Sequence, residues 1–229
     1  RTFPNRRRDL PRTFPNCPKR FPDRVGDSEL FGRFGKLTLD PVAFPNAASL
    51  QKDENLGRLK ATKAQGDIDG DGDFDVIYSY GARSFSVLDA GAKMVYDSGD
   101  QFEQYMAANY GNVFNASNTE NYSRDNRSDD KGPEPEGLAS GYVNGTPYAF
   151  IGLERQGGFM VYDLTNPVNP QFVTYHSDRR YSGSPEADTA GELAPEGMLF
   201  VDAKNSPTGN AMLIVASEVS GSTKVYDLK

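Results

Sequence analysis

A chain of 229 residues is long enough for one or two domains with a sizeable core. An apolar fraction of 37%, with 23 Gly, 15 Pro and 12 Tyr, favours a loop-rich all-β protein over a helical one. The net charge of −7 divides into +6 on residues 1–36 and −13 on the remainder, an acidic body suited to divalent cations and not to nucleic acid. The single Cys17 excludes an internal disulfide, Cys17 and the lone His176 cannot build a His/Cys zinc site, and no apolar run reaches membrane-spanning length.

Residues 1–35 form a basic, Pro-rich leader in which Arg1-Thr2-Phe3-Pro4-Asn5 recurs as Arg12-Thr13-Phe14-Pro15-Asn16, and its prolines predict disorder or a non-native origin. A short helical pattern spans 47–55. Residues 58–97 then read as a four-strand meander with strands at 58–63, 74–80, 84–89 and 93–97. Residues 101–109 suit a short helix. The polar stretch 112–131 holds no apolar pattern and is expected to contribute no core, so 101–133 reads as an insertion. A second meander follows at 137–143, 147–153, 158–164 and 171–176. After the polar excursion 178–193, a third opens at Pro195 and runs through three strands to Lys229. The triplets beginning at Asn115, Asn121, Asn126 and Asn144 fit the N-glycosylation pattern.

The meanders are related. Pro135-Glu136-Gly137-Leu138 recurs as Pro195-Glu196-Gly197-Met198, and each copy opens a run of similar strands. Four short antiparallel strands per unit, none able to bury both faces alone, predict an all-β partial β-propeller of about three blades (58–100, 134–178 and 195–229), with the rest of the ring in a longer parent chain. A β-sandwich of about eleven strands is the alternative.

Asp67, Asp69, Asp71, Asp73 and Asp75 alternate through a Gly-containing loop, a pattern that brings carboxylates onto one hard cation. All-oxygen ligands select Ca²⁺, with Asp67, Asp69, Asp71 and Asp75 binding by side chain and Asp73 by its carbonyl. The spacing follows an EF-hand loop until its twelfth position, where Tyr78 replaces the bidentate Glu. Glu134, Glu136, Glu154, Arg155, Glu196, Glu218 and Arg83 occupy related or neighbouring repeat positions. In a propeller they would ring one end of the channel, to hold a cation, to bind a phosphate, or to lock blades together. Asp163 and Asp227 are expected to bond turn amides, and His176 to be structural.

These residues also carry a resemblance. Gly66 to Asp75, Gly81-Ala82-Arg83-Ser84-Phe85-Ser86, Asp129-Asp130-Lys131-Gly132-Pro133-Glu134-Pro135-Glu136-Gly137, Ile151-Gly152-Leu153-Glu154-Arg155, Ala194-Pro195-Glu196-Gly197 and Glu218-Val219-Ser220-Gly221 resemble the choice-of-anchor I family from about Lys36 to Lys229. The family includes secreted or surface-anchored bacterial proteins, some labelled alkaline phosphatases, and mesenchyme-specific cell-surface glycoproteins linked to biomineralisation. The resemblance implies a seven-bladed, YVTN-like propeller that is secreted or anchored at the cell surface. Two functions follow as expectations. One is a Ca²⁺-binding domain for adhesion or for contact with matrix, surface or mineral. The other is a metal-dependent phosphatase acting on a phosphate ester, with Glu136, Glu154, Glu196 and Glu218 holding cations and Arg83 and Arg155 steadying the oxyanion.

Overall fold

A computed structural model describes residues 30–81 and 83–229. The repeat Arg1–Asn5, Cys17 and the rest of the leader up to residue 29 lie outside the described residues. The described chain is mostly β with few helices, in antiparallel sheets of two to four strands, none of which closes on itself.

Strand β1 (Phe31–Arg33) pairs with β2 (Lys60–Thr62) and encloses a small core of Phe34, Leu37, Leu39 and Ala61, with Phe74 and Ile77 against it. Residues 31–35, expected in the leader, therefore belong to the fold. Helix α1 (Ala47–Leu50) is a single turn, shorter than the pattern over 47–55 predicts. The expected strand 74–80 is absent. That segment makes only isolated bridges, Phe74 with Leu39 and Ser79 with Ala61, because the amides of Phe74, Asp75 and Val76 are taken by the carbonyls of Thr38 and Gly66 around the Asp-rich loop. The first meander is thus two small sheets, β1–β2 and a hairpin of β3 (Ser86–Leu88) with β4 (Met94–Asp97).

The centre of the molecule is the sheet β5 (Pro135–Val143), β6 (Thr146–Leu153), β7 (Phe159–Asp163) and β8 (Gln171–His176), in that order. Its sequence alternates, so its two faces carry different residues. Ala149, Ile151, Leu153, Met160, Tyr162 and Tyr175 face α2 (Gln101–Asn109), which buries Phe102 and Met106 one turn apart. Ala139, Phe150, Phe159 and Val161 face the second large sheet, built of β9 (Pro195–Val201), β10 (Ala211–Ser217) and β11 (Ser222–Leu228). Strand β5 packs along β9 because its small residues admit bulky ones: a Cβ on Gly137 would stand 2.9 Å from Met198 Sδ, and one on Gly141 would overlap the Phe200 ring.

The stretch 112–131 contributes to the core, against expectation. Val113 and Ala116 are buried, as are Asn115, Asn118 and Asn121. It has no periodicity because polar side chains, not a regular backbone ladder, hold it in place.

Candidate functional site

Both Pro-Glu-Gly copies are β-bulges. Pairing of β5 with β6 slips between Pro135 and Leu138, and pairing of β9 with β10 slips at Ser217, opposite Pro195. Before each proline stands a non-Gly residue with left-handed backbone, Glu134 at φ 54° and Ala194 at φ 59°. A left-handed residue before proline costs on the order of 1–3 kcal/mol. The amide of Glu154 donates to Glu134 O and that of Glu218 to Ala194 O, both at 2.8 Å, so the two repeats are superposable to this detail.

They differ in the side chain at the strained position, and this makes one repeat a charged site. Glu134 is 5% exposed and Glu154 is 4% exposed. Glu134 accepts from Lys131 Nζ and Arg155 Nε; Asn118 Nδ2 donates to Glu154 Oε1 at 2.6 Å, and Arg155 Nη1 donates to Asn118 Oδ1 at 2.9 Å. The carboxylate of Glu136 joins them, with oxygens of the three residues within 4.8 Å of one another. Burial, then the hydrogen bond to Glu134 and that residue's charge, push Glu154 up to about 7. Burial also works against ionisation of Glu134, but hydrogen bonds from Glu154 and Lys131, with the Arg155 charge, outweigh it and hold its pKa below the usual value. The pair therefore titrates as a unit that keeps one proton well above the ordinary carboxylate range.

The other residues expected at this rim lie elsewhere. Glu196 and Glu218 are exposed and belong to no group of three converging acids among the described residues. Arg83 is bound to Glu103 at 2.9 Å and to the carbonyls of Ser128 and Asp130 at 2.6 and 2.9 Å. His176 lies against Phe159 and Tyr226, with Nε2 3.4 Å from Asp178. Arg179, in a stretch where sequence offered only polarity, is 6% exposed. It donates to Asn121 Oδ1 at 3.0 Å and to the carbonyls of Arg155, Gln156, Ser117 and Glu120 at 2.7–3.3 Å. Asn115, Asn118 and Asn121, spaced three apart, are the sequence signal that would have marked this network.

The Asp loop divides into two groups. Oxygens of Asp67, Asp69 and Asp71 lie within 4.8 Å of one another, and so do those of Asp40, Asp73 and Asp75. Asp40 was not legible as a partner. It arrives because Phe74 N donates to Thr38 O and Asp40 N to Phe74 O, at 3.0 and 3.2 Å, which lays residues 38–40 beside the loop's end. Asp67 accepts from the amides of Gly70 and Gly72 at 2.7 and 3.1 Å, and both glycines have left-handed backbone, at φ 81° and 102°. The Asp73 side chain, expected to leave binding to its carbonyl, points into the second group. Its Oδ1 is shielded from solvent and has no hydrogen-bond partner, and desolvation followed by the charges of Asp71, Asp40, Asp75 and Asp69 raises its pKa. These six carboxylates offer two clusters of the oxygen atoms that a hard cation takes as ligands.

A mostly β chain with repeated bulged sheets and this loop belongs to a definite class of protein. The chain is a member of the choice-of-anchor I domain family, whose model matches residues 17–167. It is 33% identical over 196 residues to Gigasin-3a of Magallana gigas, an alignment that covers 79% of this chain and 67% of that protein. No solved structure matches. No helix among the described residues is long and apolar enough to cross a membrane.

Proposed function

We propose that this is a calcium-binding extracellular domain, secreted or held at the cell surface, that contacts matrix, another surface or mineral. The observation that carries the reading is the shielded, unpartnered oxygen of Asp73 among the carboxylates of Asp40 and Asp75, beside the convergent Asp67, Asp69 and Asp71. Five like charges in one loop and a sixth, Asp40, beside it repel unless a cation or protons compensate, and a site made wholly of oxygen atoms suits Ca²⁺. The family and the Gigasin relative support the extracellular setting. We read the large sheets as neighbouring propeller blades. Supporting this are the shared bulge, the contact between opening strands β5 and β9, and an outer face of the three-stranded sheet that leaves Leu199 and Val225 more than half exposed.

Calcium titration of thermal unfolding tests the reading. At a hundredfold excess over Kd, a site confined to the folded state stabilises by about 2.7 kcal/mol, or roughly 5–10 °C in a chain of this length. Asp69→Ala and Asp73→Asn should each reduce that shift. No shift at millimolar calcium, or a full shift in both variants, overturns it.

A second reading, a metal-dependent phosphoesterase, draws on the grouping of Glu134, Glu136 and Glu154 beside Lys131 and Arg155. Both cations are already bound to Glu134, which leaves them poorly placed for a phosphate. Turnover of p-nitrophenyl phosphate with calcium that is lost in Glu136→Gln would favour the enzyme.

A further inference from the structure

The four Asn-x-Ser/Thr triplets are treated differently by the fold. Asn115 is fully buried, and its amide donates to Glu103 Oε1 at 2.7 Å and Ser128 Oγ at 3.0 Å. Asn121 is 3% exposed. Its amide donates to the carbonyls of Arg180 and Gly183 at 3.1 and 2.5 Å, while its Oδ1 accepts from Arg179. A sugar on either nitrogen would remove a buried donor and need space that the packing fills. Asn126 is exposed but lies in a tightly bonded turn. Its neighbours Asp125 and Arg127 are bound to Arg58 and Asp130, and the hydroxyl of its triplet, on Ser128, already accepts from Asn115.

Asn144 alone stands clear of such contacts. It is exposed at the tip of the β5–β6 hairpin, where Val143 pairs with Thr146 across two left-handed residues, Asn144 at φ 51° and Gly145 at φ 87°. This is the two-residue turn that Asn-Gly favours. A Cβ on Gly145 would meet nothing within 4 Å, and the Asn144 side chain has no hydrogen bond among the described residues. Nine residues of β5 separate it from the Glu134 end, about 30 Å at strand rise. A large group here therefore leaves the carboxylate cluster open and shields one end of the edge strand β5 from pairing with other chains.

We propose that Asn144 is an N-glycan acceptor, and that folding excludes glycans from Asn115 and Asn121. The proposal rests on the extracellular reading, since the donor is a polyprenyl-diphosphate-linked oligosaccharide of the secretory lumen. Asn144 Nδ2 attacks C1 of the first sugar. The new N–C1 bond replaces the C1–O bond to the diphosphate, which leaves with the electron pair, and the amide loses one proton to a base.

The test expresses the chain behind a secretory signal in a eukaryotic host, then removes glycans enzymatically in heavy-oxygen water, which marks each former acceptor for peptide mass spectrometry. The expected result is label at Asn144 and none at Asn115 or Asn121, with Asn144→Gln and Thr146→Ala each losing one glycan. Chain recovered from the lumen or medium with Asn144 unmodified overturns the proposal, as does label at Asn115 or Asn121 in folded protein. Locating the natural gene product tests the setting separately: a cytosolic protein sinks the extracellular reading, whereas a lumenal chain bare at Asn144 sinks this one.

Discussion

Glu134 and Glu154 form a site only in one repeat. At the position before the second Pro-Glu-Gly stands Ala194, and the partner expected there, Glu218, is exposed. The recurrence of Glu136 and Glu154 as Glu196 and Glu218 was visible in the sequence; the buried pairing of Glu134 with Glu154 was not, because its partners Lys131 (to Glu134) and Asn118 (to Glu154) arrive from the polar stretch. The pair makes stability depend on pH. The folded pKa of Glu154, about 7, lies above its ordinary value, so the fold gains from its proton fully below about 4.5 and loses that gain as pH rises through 7. Glu134, held low, works in the opposite sense and loses its contribution as pH falls below its ordinary value. Glu154→Gln keeps a neutral donor toward Glu134 and an acceptor for Asn118. It should abolish the decline between pH 5 and 8 and stabilise at pH 8 by about 2–3 kcal/mol. Melting curves across that range check it, and a variant with an undiminished slope would show the proton resides elsewhere. Arg179 makes the complementary case. Its partners are four carbonyls and one amide oxygen, so Arg179→Met strands buried acceptors and should cost about 3–5 kcal/mol in urea unfolding.

Strands were legible where alternation and turn residues agreed. The runs expected at 137–143, 147–153, 158–164 and 171–176 match β5–β8 closely, because apolar side chains two apart are needed on both faces of that sheet. The reading failed at 74–80 and 112–131. In both, other partners replace the regular ladder: the carbonyls of Thr38 and Gly66 take the amides of Phe74, Asp75 and Val76 in the first, and Asn and Ser side chains with the donating Arg179 guanidinium hold the second. What small residues in β5 meant was not legible either, since it depends on which strand lies opposite. Gly141 is one such case. An added methyl there would overlap the Phe200 ring, so Gly141→Ala should destabilise by about 1–3 kcal/mol. Phe200→Leu should recover part of that loss in the double variant. Additive losses in the double-mutant cycle would show that β5 and β9 do not press on each other at this point.

At the scale of the whole molecule, three apolar cores set an order of local stability. The central sheet has one on each face, while the first small core carries the Asp loop through Phe74 and Leu39 at the molecule's edge. Amides of β6 and β7 should therefore exchange with solvent slowest, near the global unfolding limit, and those of β3, β4 and residues 66–76 much faster. Calcium held by the Asp40, Asp73 and Asp75 group, beside that of Asp67, Asp69 and Asp71, would tie residues 40–43 to 66–76, two segments otherwise joined by the short bridge at Leu39 and Phe74. Calcium should then slow exchange at Val42, Ala43, Ile68, Gly70, Asp71, Gly72 and Asp73, whose amides now donate to these carboxylates, and leave β6 and β7 unchanged. Hydrogen exchange followed by mass spectrometry, with and without calcium, measures both. Protection at 66–76 without any at 40–43 would remove Asp40 from the ligand set, and uniform slowing along the chain would mean that calcium acts on the fold as a whole and not through this loop.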